Sequence, residues 1–349
     1  MTIAADLPAR VPATVMELED ALTAPSEALV RDLAALDGDV LILGGAGKMG
    51  PTLAVLAQRA LDAAGGGHGV IAVARFSDRA ARERLEASGV RTHAVDLLDP
   101  AQLATLPDTP NVIYMVGTKF GTAGREPQTW ATNAYLPGRV AERYAGARFV
   151  VFSSGNVYPL LPVPLGGATE GTVPAPMGEY AQSCLARERL FEFFARKQGT
   201  PVTIYRLNYA IDLRYGVLHD IARAVHAGEA VDLAMGNVNV IWQGDANAFA
   251  LRALTLADVP PTVLNVTGPE TISVRWLAEE FGRRFGIAPV FAAAEAPTAL
   301  LSNATKAFGH FGYPRVTLAR MIDWTAAWIG EGGLSLGKPT HFQGRDGKF

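Results

Sequence analysis

Three regularly spaced glycines constrain the fold of this chain more than any other feature. They lie in the stretch LGGAGKMG, where Gly44, Gly47 and Gly50 form the pattern G-x-x-G-x-x-G. The apolar stretch Asp39–Gly45 predicts a buried strand before the loop, and the apolar spacing of Gly50–Ala64 predicts a helix after it. A glycine loop between a first strand and a helix is typical of a βα unit that binds phosphate groups.

Each glycine of this loop has a physical role in such a unit. The first allows a tight turn, the second lets the backbone approach a pyrophosphate, and the third lets helix and strand pack closely. The pyrophosphate then lies on free amides at the helix N-terminus, where the helix dipole favours negative charge. The predicted cofactor contacts of the loop are Gly44, Gly47, Lys48, Met49 and Gly50. The alternative is a tight turn without a ligand.

Further βα units follow the first one. Strands are predicted at Gly69–Phe76, Arg91–Leu97, Asn111–Gly117 and Arg148–Ser154, and a charged helix at Asp78–Ser88. These near-continuous apolar runs fit strands buried on both faces of a parallel sheet. The alternation therefore predicts an α/β fold with a Rossmann-type, doubly wound parallel sheet.

The order of these elements divides the chain into four parts. The last third mixes helices with short strands such as Asn239–Gly244 and Thr262–Gly268, so it is interleaved with the first domain. The predicted parts are a helical N-terminal extension (1–36), the main part of a dinucleotide-binding domain (37–205), a smaller mixed α/β substrate-binding domain (206–335) and a polar C-terminal tail (336–349).

Composition excludes several classes of function. The net charge is −3, which does not indicate binding to nucleic acid or to an anionic membrane. No apolar run approaches the roughly 20 residues that cross a bilayer. One cysteine allows neither an intrachain disulfide nor a cysteine-rich metal site, and no metal is predicted. A cytoplasmic protein is expected, because the first residues lack a signal-peptide pattern.

The end of the second strand bears on the choice between NAD and NADP. An acidic residue there would bind the ribose 2′-hydroxyl of NAD, whereas an arginine accommodates the 2′-phosphate of NADP. Ala74 and Arg75 occupy these positions, which leans towards NADP, although Asp78 is close enough to serve NAD. Asp96, followed by Leu97, is placed to accept from the adenine amino group. Its alternative role is the N-cap of the next helix.

From Asp39 to Ile329 the order of motifs resembles the extended short-chain dehydrogenase/reductase family, which comprises sugar-nucleotide epimerases and dehydratases. The stretch FVVFSSGNVYP resembles the family's serine motif and implies Ser154 as its catalytic serine. The stretch EYAQSCLARERLF resembles the Y-x-x-x-K helix and implies Tyr180 as the catalytic tyrosine. The family's lysine position holds Cys184 instead.

The resemblance implies further cofactor contacts. The helical stretch Thr129–Tyr144 resembles the family helix that carries an asparagine, here Asn133. Gly117 and Lys119 match a Gly-x-Lys that brings a lysine to the nicotinamide cofactor in UDP-galactose 4-epimerases; the alternative is a solvated loop lysine. Three residues follow strand ends around the same cleft and are candidate substrate contacts: Asn156, Asn208 and Tyr209.

Cys184 changes the chemistry that the resemblance implies. In the family, tyrosine exchanges a proton with the substrate hydroxyl during hydride transfer, and the lysine charge favours tyrosinate. A free tyrosine has a pKa of about 10, and a thiol four residues later cannot supply that charge. The cation then comes from Lys119 or from the oxidised nicotinamide, or Tyr180 acts mainly as an acid, or the site binds a dinucleotide without redox chemistry.

The predicted function is an NAD(P)-dependent oxidoreductase or epimerase that acts on a sugar, a nucleotide sugar or a sugar-derived hydroxy compound. The alternative is a dinucleotide-binding pseudoenzyme that senses or scaffolds. The stretch Asn237–Phe249 lacks the basic residue that extended enzymes use to hold a diphosphate, although Arg214, Arg252 and Arg275 lie nearby in sequence. A smaller sugar acid or polyol is therefore a second candidate substrate. The resemblance also implies a homodimer.

Overall fold

A computed structural model of the chain describes residues 10–119 and 124–347. The predicted N-terminal extension and C-terminal tail lie partly outside them, at residues 1–9 and 348–349. The strands are β1 Val40–Leu43, β2 Val70–Ala74, β3 Arg91–Ala94, β4 Asn111–Tyr114, β5 Arg148–Ser154, β6 Leu161–Pro162, β7 Val202–Leu207, β8 Ala210–Ile211, β9 Ala230–Asp232, β10 Asn237–Val238, β11 Ile241–Trp242, β12 Thr262–Val266, β13 Ile272–Ser273, β14 Val290–Ala292 and β15 Thr298–Ala299.

Helices flank these strands throughout the described chain, and residues Ala131–Tyr135 form a π-turn. The helices are α1 Val15–Leu22, α2 Glu27–Ala34, α3 Gly50–Ala63, α4 Arg79–Ala87, α5 Pro100–Ala104, α6 Glu126–Trp130, α7 Leu136–Arg143, α8 Gly178–Gln198, α9 Val217–His226, α10 Gln243–Arg252, α11 Val274–Phe285, α12 Thr305–Phe311 and α13 Leu318–Gly330. Among the described helices, none is long and apolar enough to cross a membrane.

Seven of the described strands form one parallel sheet in the order β12-β7-β5-β4-β1-β2-β3. From β1 the chain runs outward through β2 and β3 and then returns to β4 on the other side of β1. Strand order therefore reverses between β1 and β4, which is where α/β sheets bind ligands, beyond the carboxyl ends of their strands.

Two helical layers cover the sheet. On one face, α2, α3 and α10 pack through residues such as Leu29, Leu53 and Phe249. On the other face, α7 and α8 pack through residues such as Val140 and Phe191. The predicted doubly wound α/β sheet is confirmed. Four predicted strands end two or three residues early, since their last residues turn into the loops that surround the carboxyl edge.

A second core lies beyond the large sheet. It joins α1, α9, α11 and α13 around Trp242 and Trp324. The predicted short strand Thr262–Gly268 instead forms β12 at the edge of the large sheet, so the chain returns there from the second core. Within the predicted strand Asn239–Gly244, only Ile241–Trp242 is extended, because α10 begins at Gln243. The exact domain boundaries stay a prediction.

The last described residues do not form the polar tail that the sequence predicts. Phe342 is buried in the second core, and Arg345 donates to the carbonyl oxygen of Thr298 at 2.7 Å. Thr340 donates through its amide to the Asp220 carboxylate at 2.8 Å. The segment from Thr340 to Gly347, here called the C-terminal strap, therefore packs on the protein, because its polar groups find partners in the second core.

Candidate active site

The glycine loop has the geometry that its pattern predicts. Gly44 has a φ of +98°, a conformation that side chains rarely adopt, and a Cβ there would also lie 3.0 Å from the Met115 carbonyl carbon. A Cβ on Gly50 would lie only 2.6 Å from the Gly45 carbonyl carbon. The two outer glycines therefore permit the turn and the close contact between α3 and the loop.

Free backbone amides lie at the start of α3. Within residues 10–119 and 124–347, the amides of Lys48 and Met49 donate to no backbone carbonyl. They lie at the positive end of the α3 dipole, beside Gly47, whose lack of a side chain leaves room for a ligand. The loop therefore fits the pyrophosphate of a dinucleotide.

The residues predicted at the adenosine end are exposed or turn-forming. Arg75 is exposed just beyond β2, whereas Asp78 caps α4 by accepting from the Ala81 amide at 3.2 Å. The Asp96 side chain accepts from the Leu98 amide at 3.0 Å, next to the buried Leu97. The helix-capping alternative for Asp96 is wrong, because Asp99 caps α5.

One cavity of about 280 Å³ lies at the carboxyl edge of the sheet, over the strand-order reversal. The predicted site residues that line it are Gly47, Lys48, Met49, Gly117, Lys119, Ser154, Asn156, Tyr180, Asn208 and Tyr209. Those that do not line it are Gly44, Gly50, Arg75, Asp96, Leu97, Asn133 and Cys184. The structure thus joins the glycine loop to the serine and the tyrosine across more than 100 residues of sequence.

Ser154 ends β5 and caps the short turn that follows. Its hydroxyl donates to the Asn156 side-chain oxygen at 2.9 Å and accepts from the Asn156 amide at 3.1 Å. The Tyr180 phenol also hydrogen-bonds Ser154 and Cys184. Ser154 and Tyr180 can therefore share one substrate oxygen.

Tyr180 and Cys184 lie one turn apart on α8. Burial raises the pKa of the Tyr180 phenol, and the neighbouring Cys184 raises it further. Burial likewise raises the pKa of the Cys184 thiol, which is 1% exposed among Val157, Tyr158 and Ala168. Both groups are protonated at neutral pH, and Tyr180, which lines the cavity, presents a proton donor to it.

Two lysines bring positive charge to the cavity. The Lys119 ammonium lies 5.9 Å from the Tyr180 ring centroid, and burial lowers its pKa to about 8. The Lys48 residue is exposed overall, but its ammonium donates to the Ala210 carbonyl at 3.1 Å and lies 3.8 Å from the Tyr215 ring centroid. Lys48 thus reaches across the cleft, and burial lowers its pKa to about 7.

Asn133 positions a loop and does not face the cavity. It lies in the π-turn between α6 and α7 and is fully buried. Its side-chain oxygen accepts from the Thr118 amide at 2.9 Å, and its amide nitrogen donates to the Thr118 carbonyl and the Ser183 hydroxyl, each at 3.0 Å. These bonds hold the loop that carries Gly117 and Lys119. Direct contact of Asn133 with the cofactor stays a prediction, since its polar atoms bond Thr118 and Ser183 in this structure.

The predicted substrate contacts differ in availability. The Asn208 amide donates to the Asn239 side-chain oxygen at 2.9 Å, and its residue is 2% exposed. Tyr209 has a φ of +47°, an uncommon conformation for a residue with a side chain. Asn156 and Tyr209 are half-buried and therefore offer the more accessible polar groups.

The three arginines considered as diphosphate ligands are engaged elsewhere. Arg214 pairs with Asp212 at 3.0 Å, Arg275 pairs with Glu295 at 2.7 Å, and Arg252 pairs with Asp32. None of them lines the described cavity. The cavity instead has Arg187, Tyr215 and Thr340, which sequence reasoning missed. Only Arg187 carried a usable signal, since it lies three residues beyond Cys184 on the same helix.

The comparisons with known proteins agree with this arrangement. A UDP-glucose 4-epimerase from Thermus thermophilus in complex with NAD is 20% identical, with a TM-score of 0.67 over 83% of this chain and 98% of that one. An epimerase from Methanothermobacter thermautotrophicus is 18% identical, with a TM-score of 0.71 over 88% and 96%. A UDP-glucuronic acid 4-epimerase variant from Bacillus cereus, in complex with NAD and a fluorinated substrate analogue, is 16% identical, with a TM-score of 0.69 over 84% and 99%.

At these identities the solved structures establish the fold. A search of curated proteins found no match. The family assignment rests on the sequence profile of the NAD dependent epimerase/dehydratase family, which matches residues 40–244. That range covers more than half of the chain and includes the glycine loop, the Ser154 strand and the Tyr180 helix. The chain therefore belongs to the NAD dependent epimerase/dehydratase family.

Proposed function

We propose that this protein is an NAD-dependent oxidoreductase or epimerase that acts on a sugar-derived hydroxy compound. One observation carries the proposal: the free amides of the glycine loop and the Ser154–Tyr180 pair face the same cavity over the strand-order reversal. A bound dinucleotide would supply the hydride acceptor or donor. The glycine loop would hold its pyrophosphate, and Gly117 and Lys119 would lie along its nicotinamide end.

Ser154 and Tyr180 handle the substrate oxygen and its proton. Ser154 orients the oxygen by a hydrogen bond, and Tyr180 donates a proton to it. The raised pKa of Tyr180 suits proton donation to a developing alkoxide, as in reduction of a ketone. The opposite direction needs a cation near the phenol, because burial alone disfavours the phenolate.

Two observations bear on the choice of dinucleotide. The family is NAD dependent, and two of the solved relatives described above are NAD complexes, which supports NAD. Arg75 is exposed at the end of β2 while Asp78 is engaged in capping α4, which supports acceptance of the NADP 2′-phosphate. We propose NAD as the cofactor and expect Arg75 to permit binding of NADP.

The substrate class follows from the charge of the cavity wall. Relatives in solved structures carry UDP-sugar names or ligands, but the arginines that could hold a diphosphate here pair with acids elsewhere. Among the described lining residues, Lys48, Lys119 and Arg187 are cationic and none is Asp or Glu. We therefore favour a small sugar acid over a nucleotide sugar.

Titration calorimetry with NAD and NADP, followed by assays on a panel of sugar acids and UDP-sugars, tests the proposal. Wild type should bind a dinucleotide and oxidise or reduce a panel member. Tyr180→Phe should retain dinucleotide affinity and lose roughly 100-fold or more in turnover, because a general acid typically contributes a rate factor of that size. Absence of dinucleotide binding would refute the proposal. Binding without turnover of any compound would favour the pseudoenzyme alternative, which rests on Cys184 at the lysine position.

We also propose a homodimer, as the family resemblance implies. Phe193 on α8 and Tyr135 beside α7 are both 55% exposed, so two apolar side chains face outward from neighbouring helices. Sedimentation of wild type and Phe193→Glu should give a dimer and a monomer, respectively.

A further inference from the structure

A buried arginine lies on the cleft-facing side of the Tyr180 helix. Arg187 follows Tyr180 by seven residues and Cys184 by three, so all three residues share one face of α8. Long side chains on a helix point back towards its N-terminus. The guanidinium of Arg187 can therefore reach the level of the turn that carries Cys184.

Two of the guanidinium nitrogens find no hydrogen-bond partner among the described residues. Arg187 is 5% exposed, and its Nη1 donates to the Phe152 carbonyl at 2.7 Å. Its Nε and Nη2 are buried without a hydrogen-bond partner among residues 10–119 and 124–347. Leaving a buried charged donor without a partner costs folding free energy, and in native proteins such donors usually bind an ordered water or a ligand.

The free donors lie beside the loop that follows β4. A Cβ on Gly117 would lie 2.9 Å from Arg187 Nη2, so the guanidinium is packed against the backbone of that loop. Gly117 and Arg187 both line the cavity, beyond the point where strand order reverses. A dinucleotide held by the glycine loop would cross this position.

Within the described part of the chain, Arg187 forms no salt bridge with an acid. Glu188, the adjacent acid on α8, pairs with Arg206 at 2.6 Å. The other groups that face the guanidinium are the phenol of Tyr180, the thiol of Cys184, and the ring of Tyr114 on β4, whose centroid is 5.7 Å away. Lys119, on the loop after β4, adds a second cation to the same cavity. A positive charge in this position favours the phenolate form of Tyr180.

We propose that Arg187 supplies the cation that is missing at position 184: its free Nε and Nη2 donate to an oxygen of the bound dinucleotide, and its charge stabilises the Tyr180 phenolate. This inference rests on the proposed function. It differs from a purely structural role, in which Arg187 only ties α8 to the Phe152 carbonyl and its remaining donors bind water.

Dinucleotide affinity separates the two roles. Calorimetry with NAD should show roughly tenfold or greater weakening in Arg187→Met, because charge-assisted hydrogen bonds are lost, and a smaller loss in Arg187→Lys. The matched control is Arg189→Met on the solvent face of α8, where Arg189 is exposed and pairs with Glu192. NAD affinity of Arg189→Met should equal that of wild type. Equal affinity of wild type and Arg187→Met would overturn the inference.

The role of the Arg187 charge is tested by chemical rescue and by the titration of the Tyr180 phenolate. Guanidinium at millimolar concentration should restore NAD affinity to Arg187→Ala, whereas urea, which has a similar shape and no charge, should not; equal rescue by urea would refute the charge role. In the NAD complexes, the titration of the Tyr180 phenolate is followed as the absorbance of each protein minus that of its Tyr180→Phe counterpart. This titration should move to higher pH in Arg187→Met. An unmoved titration would refute the effect on Tyr180.

A crystal structure of wild type with NAD keeps the inference testable if the variants fail to fold. Nε or Nη2 of Arg187 should lie within hydrogen-bond distance of a dinucleotide oxygen, and a water-filled gap between them would overturn the inference. The proposed function fails separately, because it requires only that wild type binds a dinucleotide.

Discussion

A single side chain, Lys48, joins the two sides of the cleft. Its backbone amide lies at the start of α3, whereas its ammonium contacts the Ala210 carbonyl and the Tyr215 ring across the cavity. Burial, opposed by the carboxylate of Asp212, lowers the pKa of Lys48 to about 7. The residue therefore changes charge near neutral pH, where an anionic ligand would sense the change.

This property predicts a pH-dependent affinity for NAD. A bound anion favours charged Lys48 and raises its pKa, so binding takes up a proton above about pH 7 and affinity falls as pH rises there. Lys48→Met should bind NAD more weakly than wild type at low pH. Its NAD affinity should depend on pH only near pH 8, where Lys119 changes charge. Calorimetry in buffers of different ionisation enthalpy measures the proton uptake directly. Lys306→Met is a suitable control, because Lys306 bonds the Val263 carbonyl outside the cavity. Unchanged proton uptake in Lys48→Met would contradict the prediction.

Local patterns explain which site residues could be predicted. The glycine loop, Ser154 and Tyr180 each belong to a short motif next to a strand or helix end, so sequence alone identifies them. Arg187 lacks such a motif, and its burial depends on Phe152 of β5 and on Gly117 of the loop after β4. The reach of Lys48 likewise depends on a segment more than 160 residues away.

At the scale of elements, α8 connects the cleft to the core. Its cleft face carries Tyr180 and Arg187, while Glu188 points into the interior. Glu188 pairs with Arg206 of β7 at 2.6 Å, and the two side chains are 1% and 5% exposed. Arg206 also donates to the Tyr158 hydroxyl at 2.6 Å. This buried network fixes the helix that presents the Tyr180 phenol to the cavity.

Removing one charge from this network should destabilise the whole fold. Glu188→Gln leaves Arg206 buried without a compensating charge, which costs about 3–5 kcal/mol in comparable cases. Urea denaturation should show that loss in the free energy of unfolding. Glu192→Gln on the same helix removes only partly exposed pairs with Arg189 and Arg196 and should cost less than about 1 kcal/mol. Similar losses in both variants would argue against a special role for the buried pair.

At the scale of the whole molecule, the large sheet was predictable from sequence, whereas the packing of the C-terminal strap on the second core was not. The central strands β1 and β2 are continuous apolar runs, and that signal is local, whereas the edge strand β3 is polar and partly exposed. The C-terminal strap carries mostly polar residues, so its sequence is typical of a tail. Its attachment depends on Asp220 and Thr298, which lie far away in the chain.

The strap should therefore stabilise the second core and shape the cavity together. Phe342 is 6% exposed and packs in that core, while Thr340, two residues earlier, lines the cavity. Phe342→Ala should lower the free energy of unfolding by about 3–5 kcal/mol, the range for truncating a buried phenylalanine. It should also weaken binding of a sugar acid, because Thr340 loses its support. Leu336→Ala, at a residue 37% exposed just before the strap, should leave both quantities near wild type. If Phe342→Ala unfolds at the same urea concentration as Leu336→Ala, the strap does not pack on the core in solution, and the cavity is open on that side.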